Sequence, residues 1–279
     1  MTVNYGNFAY FGFILFFVAG FAMLYALLRG KSKKIQYWVL FGLVCFNFVL
    51  HFLAPLYLGI GFGLEYVRGQ GYQNAGVNRL FLNNISSVVA VLSPLLFLCR
   101  GRFVRTAFIF LSLMAGVAAM FGPMEIVGKQ MPYHITHIDV FRFYLQHALM
   151  WIVPALLLSL GHFQLQWREI WLAPTVLLVA LGLVMISDVM RYIMGSLPYP
   201  AAINESMQWG LPRDGRLEIL RNLIPAPMTR VPFGPNRGAE GFWPLLYLVP
   251  GVFLLLPVVG FFVIGVNKGC VWLAKRLRV

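Results

Sequence analysis

FRFYLQHALMWIVPALLLSL, residues 141–160, decides the fold. From Ala148 onward the stretch is compatible with hydrocarbon, and its full length is the roughly 20 residues a helix needs to cross a bilayer core. Its first two turns nevertheless carry Arg142, Gln146 and His147. A guanidinium, an amide and an imidazole inside a span require partners or water, so the stretch reads as a transmembrane helix with a polar end turned into a bundle.

The rest of the chain agrees. Of its 279 residues 60% are hydrophobic and 11% charged, against about 25% charged in soluble domains. Seven runs are long and apolar enough to span, roughly 8–28, 37–62, 80–99, 106–123, 142–160, 170–194 and 244–266. The backbone must satisfy itself in lipid, and continuous runs of this length do so as helices. The expected fold class is therefore all-α: one polytopic membrane domain over 1–279, a seven-transmembrane-helix bundle. The N-terminal MTVNYGNFAYFGFILFF lacks a basic n-region and reads as a first span rather than a cleaved leader.

The net charge of +13 does not imply nucleic acid. About half of the Lys and Arg flank apolar runs, in RGKSKK (29–34), RGRFVR (100–105) and KGCVWLAKRLRV (268–279). Such clusters set topology and attract anionic lipid headgroups. They fall on one side of seven spans, which places the N-terminus outside and the C-terminus in the cytoplasm. The expected location is a cytoplasmic membrane, of bacterial type. The Pro- and Gly-rich segment 195–243 would then be extracytoplasmic, and it offers a docking surface for partner membrane proteins, as do the aromatic helix faces (25 Phe, 12 Tyr, 7 Trp). Cys45, Cys99 and Cys270 suggest no disulfide framework. His134 and His137 lie in a loop with no third strong ligand nearby in sequence, so no metal and no cofactor is expected.

On this topology the polar residues within spans fall at one depth. His51 ends span two, Asn83 and Asn84 begin span three, Arg142, Gln146 and His147 begin span five, and Asp188 with Arg191 ends span six. Arg142 and Gln146 share a helix face. Asp188 and Arg191 are three apart and can pair within their helix or with Arg142. Together these residues would line a lipid-binding pocket near the outer leaflet, with His147 as the candidate general base. The cytoplasmic halves of the same helices look nearly free of polar groups.

Three short motifs carry a resemblance: RLFLNNISS (79–87), GVAAMFGP (116–123) and ITHIDVFRFYLQH (135–147). In this order they resemble the YwaF-like integral membrane proteins, bacterial relatives of transmembrane protein 164. The resemblance implies a seven-helix bundle and, from its vertebrate branch, phospholipid acyl transfer by a Cys nucleophile and a His. The family's span-three pattern L-H-L-C-N places Phe81 at its His, Asn83 at its Cys and Asn84 at its Asn, and His147 falls on the span-five His. An amide cannot attack an acyl ester as a thiolate can. Ser86 or Ser87, activated by His147, is the substitute the sequence offers.

Two functions compete. One is a lipid-modifying, acyl-transfer-like protein lacking the family's Cys, with Asn83, Asn84 and Arg142 binding a headgroup or an oxyanion. The other is a non-catalytic accessory or scaffold subunit of a larger membrane complex. A small-molecule transporter ranks third, since neither inverted repeats nor midplane charges are visible.

Overall fold

The computed structural model describes residues 3, 6–53, 65–67, 71–73, 81–121, 138–195, 197 and 245–276. Among them are seven apolar helices: α1 (Phe8–Arg29), α2 (Lys33–Phe52), α3 (Ile85–Leu98), α4 (Arg102–Phe121), α5 (Ile138–Ser159), α6 (Leu172–Ile193) and α7 (Val249–Arg276). An antiparallel pair of short strands, β1 (Glu65–Val67) and β2 (Gly71–Gln73), lies between α2 and α3. Six of the helical stretches are long and apolar enough to cross a membrane. The seventh, α3, has 14 residues, which is about 21 Å of helix. The segment 195–243, apart from residues 195 and 197, lies outside the described residues, as do His134 and His137.

Helix ends differ from the hydropathy reading for identifiable reasons. Ser32 caps α2, accepting a bond from the amide of Ile35, so this helix begins a turn before position 37. It stops at Phe52 rather than at 62, with Leu53 as its C-cap and the Leu53 amide on the Val49 and His51 carbonyls. Asn84 caps α3 with a reciprocal capping box to Ser87, which starts that helix five residues later than position 80. At the far end, the basic stretch from Lys268 is not a separate tail, because α7 runs on to Arg276.

α5 is the centre of the bundle. In its apolar stretch 72% of residues are buried, against 11% for α1 and for α7, which form the periphery. α5 packs most extensively on α4 and also touches α1, α2, α3 and α7, while α6 packs on α3, α4 and α7. Apolar surface does not drive helices together in lipid, so close packing and hydrogen bonds must do so. Gly116 shows how α4 and α5 manage it. A Cβ there would stand 2.6 Å from the carbonyl oxygen of His147 and 2.9 Å from the amide of Trp151. The two backbones therefore touch at the turn that carries His147. On the other flank, the Tyr10 hydroxyl donates to the Met120 carbonyl at 2.9 Å, and Phe13 stacks on Tyr144.

Gly116→Ala is expected to force α4 from α5 and to cost about 1–3 kcal/mol, the usual penalty of overpacking. A lowered melting temperature of the purified protein in detergent checks this; an unchanged one would show that the backbones can part freely.

Candidate functional site

The polar residues singled out in the sequence lie at one end of the bundle, on the last turns of α2 and α6 and the first turns of α3 and α5. Two hydrogen-bonded clusters organise them. Asp188 and Arg191, three apart on α6, have no exposed side-chain surface and approach to 3.5 Å. The pair forms within the helix. Arg191 Nη1 also donates to Asn83 Oδ1 at 2.8 Å, its guanidinium stands 5.7 Å from the ring centre of Phe81, and the Leu82 amide donates to Ser187 Oγ at 3.1 Å. The chain entering α3 is thus tied to the end of α6 at three successive residues. Using its oxygen for Arg191 leaves Asn83 with two amide N–H donors.

His147 builds the second cluster. Its Nδ1 lies 2.7 Å from the carbonyl oxygen of Phe143. A carbonyl only accepts, so Nδ1 carries a proton and donates it. The neutral ring then presents a bare lone pair at Nε2, which accepts from the Ser86 hydroxyl at 3.0 Å. His147 is buried and Ser86 half-buried. Ser86 is the second residue of α3, whose first-turn amides face no carbonyl of their own helix and whose dipole favours negative charge. Ser87 is committed elsewhere: its amide is bound by Asn84 Oδ1 and its hydroxyl donates to the Asn84 carbonyl at 2.7 Å. Of the two serines the sequence offered, Ser86 is the one that reaches the imidazole.

Each remaining residue has a defined place. Arg142 Nη1 donates to Gln146 Oε1 at 2.6 Å along α5, and Gln146 is buried. His51 is buried on the last turn of α2, edge-on to Phe52. Asn84 serves as the cap of α3.

The opposite end of the bundle carries polar groups of its own, at helix starts and in loops outside the spans read from the sequence. Gln36, buried on α2, donates to the carbonyls of Leu28 and Lys31 at 2.8 and 3.1 Å. Its oxygen accepts from His162 Nε2 at 2.8 Å. Arg102 forks onto Glu169 at 2.6 and 3.2 Å. Burial, then the charges of Lys33 and Arg105, hold the His162 pKa below its ordinary value. These groups escaped notice because they come singly from loops and helix starts, with no motif to join them.

The comparisons with known proteins come to one finding. A protein-family model, that of the TMEM164 family, matches residues 3–197. No curated protein and no solved structure matches the chain.

Two outcomes follow from this geometry. Arg191→Met removes the cation beside the buried Asp188 carboxylate and is expected to cost about 3–5 kcal/mol. The double change Asp188→Leu with Arg191→Met should recover most of that, as unfolding in mixed micelles will show. His162 folds in its neutral form, with a pKa below the unfolded value of about 6.5. Its contribution is complete above that value and is lost as pH falls toward the lowered folded pKa. Stability curves from pH 8 to 5 should therefore slope less for His162→Gln than for the natural chain.

Proposed function

We propose, for a chain that belongs to the TMEM164 family, a lipid-directed acyl-transfer function centred on Ser86 and His147. The observation that carries it is the 3.0 Å hydrogen bond from the Ser86 hydroxyl to His147 Nε2, with the other ring nitrogen held on Phe143. A nucleophile, a base and a group that orients the base are the three parts of a hydrolytic or transfer site.

In the proposed reaction His147 Nε2 takes the proton as Ser86 Oγ adds to the ester carbonyl of a phospholipid. The tetrahedral oxyanion is met by the first-turn amide of Ser86 and by the free N–H pair of Asn83, within the positive end of the α3 dipole. Collapse breaks the bond to the glycerol oxygen, which leaves with the proton from His147, and the acyl group stays on Ser86. A second hydroxyl, of a lysolipid or of water, gives its proton to His147 and takes the acyl group in turn. Ser86 thus replaces the thiol that the resemblance places at position 83. Asn83 becomes a donor there, oriented by Arg191, and Arg142 supplies a cation for the headgroup.

The same proposal covers topology. With α3 counted as a span, the chain crosses seven times, its basic loops face the cytoplasm of a bacterial cytoplasmic membrane, and the Ser86–His147 end meets the outer leaflet. Segment 195–243 then falls on the extracytoplasmic side. The rival reading, a non-catalytic subunit of a membrane complex, draws on one observation, the amide at position 83.

The test is acyl transfer from labelled phosphatidylcholine to a lysolipid by the purified protein in vesicles. Ser86→Ala and His147→Gln should each lower turnover by about 10²–10⁴-fold, the usual worth of a nucleophile or general base. Mass spectrometry should find the acyl mass on the peptide containing Ser86. Turnover equal in natural and variant proteins would refute these roles, and no turnover in any of them would favour the subunit reading.

A further inference from the structure

At the end of the bundle opposite Ser86, and independent of any chemistry there, a cavity of about 160 Å³ opens between α2, α3, α4, α5 and the loop after α5. Its walls are the rings of Tyr37, Phe97, Phe108 and Phe163 with the aliphatic chains of Ile109 and Leu157. Two polar groups interrupt this lining, Arg105 and His162.

The charge balance at these two groups is one-sided. Arg105 uses its Nε on the Cys99 carbonyl at 3.2 Å, and none of the ion pairs among the described residues includes it. Lys33 is close enough, with Arg105, for its charge to act on His162, and among the described residues its ammonium donates only to the Leu160 carbonyl. Glu169, the carboxylate at this end, is taken by Arg102 and by the amide of Gln166. Two cations thus stand beside an apolar cavity, and among the described residues no anion neutralises them. His162 is held in place from behind, since its Nε2 proton goes to Gln36, whose own amide is fixed by two backbone carbonyls. Its Nδ1 then carries a lone pair and no proton, so the anion-binding groups here are Arg105 and Lys33.

Size narrows the ligand further. An apolar cavity near 150 Å³ accepts a molecule of the size of benzene. This one therefore takes about six carbon atoms: the head-proximal part of one alkyl chain, and not two chains side by side. A guanidinium fork matches the paired oxygens of carboxylate or phosphate. We propose that this cavity binds a single-chain anionic amphiphile, its oxyanion on Arg105 beside Lys33 and its first methylenes among the rings of Tyr37, Phe97, Phe108 and Phe163. The two sources of such chemistry are a fatty acid and a one-chain phosphate lipid.

Equilibrium binding to the full chain in phosphatidylcholine nanodiscs tests this, with empty nanodiscs subtracted. The probes are laurate, dodecyl phosphate, dodecanol and inorganic phosphate. Saturable binding of one molecule per chain is expected for laurate or dodecyl phosphate, and whichever is tighter identifies the source. Dodecanol and inorganic phosphate should each bind at least about tenfold more weakly, since each lacks one half of the recognition. Arg105→Gln should weaken the anionic probes by about tenfold, while Ser86→Ala should leave them unchanged even if it abolishes acyl transfer. Equal binding of dodecanol would overturn the proposal, as would equal binding of inorganic phosphate or non-saturable partition alone. The probe series needs only the natural chain, so it holds even if Arg105→Gln fails to fold.

Discussion

A guanidinium and a carboxylate with no exposed surface are the most demanding groups among the described residues. Removing such ions from solvent costs several kcal/mol each even after relaxation, and their mutual attraction offsets this only with good geometry and further hydrogen bonds. At 3.5 Å the contact between Arg191 and Asp188 is loose. The Asn83 oxygen is therefore part of the solution, and with it the whole entry to α3 is drawn onto α6. That anchoring fixes where α3 can begin. Asn84 caps it, Ser87 closes the box, and Ser86 is turned toward α5. The site geometry is downstream of one ion pair that lipid could not otherwise hold.

The second constraint is the approach of α4 to α5. A helix with most of its apolar stretch buried cannot move its side chains far, so the position of His147 is set by backbone contact. Gly116 permits that contact, and the Phe143 carbonyl selects the ring tautomer. Together they decide which nitrogen faces Ser86 and at what distance. Rigid elements supporting a polar pair in this way are what catalytic geometry requires.

Much of this was legible in the chain itself. Hydropathy located each of the seven helices, because an apolar run of that length has few alternatives. The set His51, Asn83, Asn84, Arg142, Gln146, His147, Asp188 and Arg191 came from a simple rule, that polar groups in spans need a reason, and the alternation of helix direction put them at one end. What hydropathy cannot report is a cap, so α2 was drawn too long at its end and α3 too long at its start. Nor does it choose between hydrogen-bond partners: whether Arg191 meets Asp188 or Arg142 meets it depends on helix rotation. The Gln36–His162 network and the cavity beside Arg105 were invisible for a related reason. Their residues are spread from position 36 to 163 with no shared motif, and only the fold gathers them.

The brevity of α3 has a consequence for the lipid around it. Its 14 residues span about 21 Å, some 9 Å less than a typical hydrocarbon layer, and Leu95 is 65% exposed on its surface. A bilayer meets a short wall by thinning, at fractions of a kcal/mol per Å. In the orientation proposed, the dimple would form beside Ser86 and carry ester linkages inward from the headgroup level. The acyl bond would then reach the hydroxyl by a local sag of the leaflet.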